Sequence, residues 1–171
     1  MTPTNVVEAD LLGRRLTGVR YDMFAWDDLP TAESSVDAVP MAVILSFNGL
    51  NICLRWNLEP PSEQLVMLTE TDLSSGPLVR RVDVSERWHD LLNAQLVRAS
   101  WAEHETGEGV QPWAVTFDFA RAGGLVVALG ELIDGLPSYL PDSLLVTADR
   151  DVALRYRPPG ALTPAWTDRS R

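Results

Sequence analysis

The chain has 171 residues, 46% of them hydrophobic and 22% charged, with a formal charge of −10 and a single cysteine, Cys53. That balance belongs to a folded body with a core rather than to a disordered chain, and one cysteine excludes both an intrachain disulfide framework and a cysteine-built zinc site. The acidic excess argues against nucleic acid and against an anionic membrane surface as partners, because both require clustered cations, and it leaves a basic protein as the partner the charge favours.

Thr4 or Asn5 is placed to cap a short helical turn that ends at Gly13. Thr17, Val19, Tyr21 and Met23 then alternate as one face of a strand. The stretch from Asp22 to Asp37 carries Asp22, Asp27, Asp28, Glu33 and Asp37 and no base.

The run MAVILSFNGLNICLRW, Met41 to Trp56, alternates strictly on both sides of Asn48-Gly49. This is a hairpin pattern, and a two-residue type I′ turn there pairs Phe47 with Leu50, Leu45 with Ile52, Val43 with Leu54 and Met41 with Trp56. Those eight side chains share a core face, and Ala42, Ile44, Ser46, Asn51, Cys53 and Arg55 share the other. An apolar run from Gln64 suggests a further strand, and Leu78 to Val82 a weaker one.

The outline then returns. Ser85 is placed to cap a turn through Trp88, Leu91 and Leu92, and Val97, Ala99 and Trp101 alternate after it. Glu103 to Asp118 holds Glu103, Glu105, Glu108 and Asp118, again without a base. Trp113 to Glu131 reads as a second hairpin whose five-residue connection, Ala120 to Gly124, closes through Gly123-Gly124. In that register Phe119 faces Leu125, Phe117 faces Val127, Val115 faces Leu129 and Trp113 faces Glu131. A strand from Ser143 and a weaker one at Val152 to Tyr156 follow, then a Pro-rich tail containing Trp166.

The pattern predicts a mainly β (α+β) fold: an antiparallel sandwich or strongly curved sheet of eight to ten strands, built from two similar halves of about 80 residues with two short helices. The halves are 1–82 and 83–157, packed as one domain, with 158–171 as an irregular tail. A four-stranded sheet with one apolar face needs a cover, and an internal duplication supplies one.

Taking the nine acids of the two segments from the 24 in the chain leaves 15 against 14 arginines, so nearly all of the net charge belongs to those segments. Lysine is absent, a bias that fits a GC-rich bacterial genome. Two readings of the segments stand side by side: acidic loops that keep the fold soluble, or a docking surface that steers a cationic protein. The docking reading takes Trp26 as an aromatic anchor among Asp27, Asp28, Glu33, Glu105 and Glu108.

For chemistry the sequence offers little. Glu103-His104-Glu105 puts its two carboxylates on one strand face and the imidazole on the other, which does not converge on a metal. His89 reads as a helix-surface residue and Cys53 as a packed thiol. Glu131, set opposite Trp113 and near Tyr139, marks a possible pocket between the halves, where burial would raise its pKa; a bulge at Gly130 would instead turn it to solvent.

No phosphate loop, nucleophile elbow, zinc helix or dinucleotide fingerprint occurs, and no catalytic residue, metal or cofactor is assigned. No leader-like segment or membrane-length apolar run is present, and a cytoplasmic address is expected. The expected function is a non-catalytic bacterial protein-binding module of the immunity or antitoxin type; a small-molecule binder or an enzyme with a pocket between the halves is the alternative.

Overall fold

The computed structural model describes residues 8–31, 33–69 and 77–166. The strands run in chain order as β1 (Leu16–Phe24), β2 (Val36–Val39), β3 (Ala42–Phe47), β4 (Leu50–Trp56), β5 (Leu65–Thr69) and β6 (Val79–Asp83). After a 3-10 turn at Ser85–Trp88 come β7 (Leu96–Thr106), β8 (Gly109–Phe119), β9 (Gly123–Leu129), β10 (Glu131–Ile133), β11 (Leu136–Ser138), β12 (Leu144–Thr147) and the helix α1 (Arg150–Arg155). Residues 8–11 are also helical, while the expected caps Thr4 and Asn5 lie outside the described residues.

Two five-stranded antiparallel sheets, ordered β5-β4-β3-β1-β6 and β2-β12-β9-β8-β7, make a β sandwich, with β10-β11 as a separate hairpin. Alternation explains the packing. Leu45, Ile52, Phe117 and Val127 are each 0% exposed and belong to one interior, and the Phe47 and Phe119 rings stack across it at 6.5 Å. Each such side chain contributes roughly 1.5–3 kcal/mol by leaving water.

The first hairpin keeps its expected register, with Phe47 opposite Leu50, Leu45 opposite Ile52 and Val43 opposite Leu54. Its turn differs, since Gly49 has φ of 84° but Asn48 is not left-handed, so it is not type I′. Asn48 extends the contact with the β1 side instead: its N–H donates to the Arg15 carbonyl and its Oδ1 accepts from the Arg15 N–H at 2.9 Å.

The second hairpin is two residues tighter than expected. Phe119 pairs with Gly123, Phe117 with Leu125 and Val115 with Val127, because Arg121, at φ 62°, takes the left-handed turn position and Gly123, at φ 94°, opens β9. A slip of two leaves every side chain on its expected face, since the strand period is two.

Each sheet contains a four-strand meander, β1-β3-β4-β5 in one and β7-β8-β9-β12 in the other, but the fifth strand joins differently, β6 beside β1 and β2 beside β12. The weak strand expected at Val152 to Tyr156 is a helix, because the Asp149 carboxylate caps it by accepting from the N–H groups of Asp151 and Val152. Ser85 is likewise no cap, for Val84 holds that place; its hydroxyl accepts instead from the Val19 N–H at 3.0 Å. The duplication read from the sequence stays a proposal resting on shared pattern.

The strands do not sort by halves. β2, from residues 1–82, pairs with β12, Val36 opposite Thr147 and Val39 opposite Leu144. The tail is tied down as far as it is described: Glu105 N–H donates to the Gly160 carbonyl and Leu162 N–H to that of Glu103, both at 2.9 Å, so residues 160–162 line the edge of β7. Thr116 Oγ1 then donates to the Ala165 carbonyl at 2.5 Å, and Trp166 packs against the core.

Candidate functional site

Three of the nine acids from the two charged segments are paired with arginines. Asp22 accepts from Arg81 Nε and Nη2 at 2.8 and 3.1 Å, Asp118 accepts from Arg98 Nε at 2.7 Å, and Asp37 pairs with Arg87. Asp28, Glu33, Glu103, Glu105 and Glu108 are exposed and Asp27 is half-buried. Even among these, two are engaged: Glu108 Oε2 accepts from the Ser62 N–H at 2.7 Å and Asp27 Oδ2 from the Phe24 N–H at 3.3 Å.

Trp26 stands at the exit of β1. Its indole is 66% exposed and stacks on Phe24 at 4.9 Å with planes 4° apart. The exposed Leu78 belongs to the same corner, since Ala25 N–H donates to the Leu78 carbonyl at 2.9 Å. Arg80 Nη2 donates to the Asp27 carbonyl at 3.0 Å, so this arginine holds the loop backbone.

The loop is also fixed from beneath by a buried polar network. Arg87 donates from Nη1 to the Thr31 carbonyl at 2.6 Å, from Nη2 to the Ser34 carbonyl at 2.5 Å and from Nε to Asp37 Oδ2 at 2.6 Å. Tyr21 OH donates to the same Oδ2 at 2.7 Å and itself accepts from Trp88 Nε1 at 2.9 Å. Asp37 is 1% exposed. Burial outweighs its donors and raises its pKa above the ordinary carboxylate value. Burial, with the Asp37 charge, also pushes the Tyr21 phenol well up. Asp37 Oδ1 lies 2.5 Å from Arg87 Nη2 but makes no aligned hydrogen bond.

The two charged segments lie apart. Asp27 sits beside Arg80 of β6, whereas Glu108 sits on Ser62, in the loop that leads into β5. β5 and β6 are the opposite edges of one five-stranded sheet, separated by four inter-strand spacings, or roughly 19 Å. Trp26, Asp27 and Asp28 thus form one corner, and Glu105 and Glu108 another.

Trp113, Glu131 and Tyr139, the residues of the expected pocket, do not line a common groove beside Tyr139. Trp113 is 0% exposed and meets Tyr156 edge-on at 5.7 Å. Glu131 does not face Trp113, because β9 ends at Leu129 and Glu131 opens a new hairpin opposite Ser138. Gly130 makes the break possible, since a Cβ there would collide with the Tyr156 hydroxyl and come within 2.7 Å of Leu145 Cδ1. A groove beside Tyr139 is lined by neither Trp113 nor Glu131.

His104 is 1% exposed. As the alternation requires, it lies opposite the exposed Glu103 and Glu105. Its Nε2 is 2.8 Å from the Glu63 carbonyl oxygen, and the Glu63 carboxylate accepts from Tyr139 OH at 2.6 Å. This cluster clasps three separate segments of the chain. The sequence held no signal for it, since Glu63 and Tyr139 are 76 positions apart.

Cys53 is buried with Ala42 and Ile44 on the far face of the first hairpin, and His89 is exposed beside Asp90. Among the described residues, no three His, Cys, Asp or Glu side chains gather to hold a metal ion, and no helix is long and apolar enough to cross a membrane. Comparison with protein-family models, with curated proteins and with solved structures found no match.

Proposed function

We propose that this chain is a non-catalytic protein-binding module that engages a basic protein through the Trp26 corner, in the manner of an immunity- or antitoxin-type inhibitor. The observation that carries the reading is the exposed Trp26 indole, stacked on Phe24 and set in a loop whose backbone two arginines hold. An aromatic anchor held in place before binding loses little conformational entropy on contact, which is the property of an interface hot spot. Asp27 and Asp28 follow it directly in the chain, with Glu33 exposed further along the same loop, and their negative charge would complement a cationic rim.

The second acidic corner, Glu105 and Glu108, stands about a sheet's width away and contributes long-range attraction rather than contact. A tagged chain recovered from its native host tests the division of labour. Wild type should retain a basic protein and Trp26→Ala should weaken the complex by about 2 kcal/mol, roughly 30-fold in Kd. Asp27→Arg with Asp28→Arg should abolish it. Glu105→Arg with Glu108→Arg should slow association and leave dissociation unchanged. A complex indifferent to Trp26 would end this reading.

A further inference from the structure

The small hairpin β10-β11 and the helix α1 enclose a groove lined by Val36, Leu136, Pro137, Tyr139, Val152 and Tyr156, with Arg155 and Arg157 at its rim. Val36, Pro137, Val152 and Tyr156 continue inward to line a narrow crevice bounded also by Val126, Ala128 and Leu145, so the floor is apolar. The lip is apolar too, since Leu136 is 68% exposed.

The two tyrosines offer ring surface rather than hydroxyl groups. Tyr156 OH is committed to the Leu129 carbonyl and Tyr139 OH to Glu63. The guanidiniums, in contrast, are available. Arg155 donates Nε to the Asp151 carbonyl at 3.1 Å, which orients its planar fork, and neither Arg155 nor Arg157 makes an ion pair among the described residues. Asp134 and Asp151 are near in sequence but neither lines the groove. Two cations outside any ion pair among the described residues, beside an apolar trough, stand out in a chain of net charge −10.

We infer that this groove binds a small amphiphilic anion, its apolar tail lying between Leu136 and Val152 and its carboxylate meeting Arg155 and Arg157. Apolar walls supply affinity and a few convergent polar groups fix orientation, as in small-molecule sites generally, and the guanidinium fork matches a carboxylate by two parallel hydrogen bonds. The Ser35 and Ser138 hydroxyls at the wall add neutral donors, while the two guanidiniums repel a cation.

Decanoate is the probe. Isothermal titration should show it binding the full chain about tenfold or more tighter than decanol, and decyltrimethylammonium should not bind. Arg155→Gln with Arg157→Gln, both exposed positions, should lower decanoate affinity about tenfold while leaving decanol unchanged. Leu136→Asp, at the lip, should weaken both. Absence of decanoate binding, equal binding of the cationic amphiphile, or full affinity in the double arginine variant would overturn the assignment. The Trp26 corner plays no part in it, so the two readings fail separately.

Discussion

Tyr21 of β1 and Asp37 of β2 belong to different sheets, and the 2.7 Å hydrogen bond between them crosses the sandwich. It joins the one buried carboxylate of the network to Trp88 on one side and to Arg87 on the other. The network is therefore both a tie between the sheets and the support of the loop that carries Trp26.

Removing its two charges should have unequal effects. Arg87→Met leaves Asp37 buried without its counter-charge and should cost about 3–5 kcal/mol in a urea unfolding curve. Asp37→Asn should cost less, because Asn still accepts from Tyr21 and Arg87 keeps the carbonyls of Thr31 and Ser34. The double variant should recover part of the Arg87→Met loss. Equal and additive losses would show that the two residues do not act as a unit.

The same group sets a pH dependence. Burial holds the Asp37 pKa above its unfolded value, so the folded chain keeps this proton to higher pH than the unfolded chain does. Its contribution to stability is complete below the ordinary carboxylate pKa and is lost as the pH rises through the raised one. Arg87→Met lifts that pKa further, so its destabilisation should be largest at neutral pH and shrink as the solution is acidified below the carboxylate range. Thermal melts of both proteins across that window measure the trend; a penalty that grows on acidification would contradict it.

Gly124 and Trp166 provide a third test. A Cβ at Gly124 would stand 2.9 Å from the Trp166 ring and 3.1 Å from Asp118 Oδ1, and the backbone there is not left-handed, so these two contacts, the ring the closer, oppose a side chain. Gly124→Ala should destabilise by about 1–3 kcal/mol and quench or shift the Trp166 emission as the indole is displaced. In a Trp166→Ala background the same change should lose most of its penalty, only the Asp118 contact remaining. A full penalty in that background would place the strain elsewhere.

Much of the sandwich is legible in alternation. Val43, Leu45, Phe47, Ile52 and Leu54 fall on the core face because period two and a glycine turn leave one register. What misleads is chemistry at the ends of elements. Asp149 turns an apolar stretch into α1 by capping it, and Asp134-Gly135, at φ 51° and 76°, makes a tight hairpin of a segment that reads as plain turn.

Trp26 reads in the sequence as an aromatic among acids, and the fold leaves it exposed. The support beneath it is not legible in the sequence. Asp37 gives only a faint signal, a charge between Val36, Ala38 and Val39, and its partners Tyr21 and Arg87 lie 16 and 50 positions away. The separation of the two acidic corners was hidden for the same reason, since lateral strand order is a property of the folded sheet and not of the chain.

The placement of β2 has a cost during synthesis. Residues 36–39 leave the ribosome well before their ladder partner β12, which ends at Thr147, whose hydroxyl closes on the Ser35 carbonyl 112 positions away. Until that distant segment emerges, the nascent first half carries an unmatched strand and a carboxylate built for burial, and must remain open at one flank. Such non-local closure slows folding and lengthens the interval in which exposed edges can stick to one another.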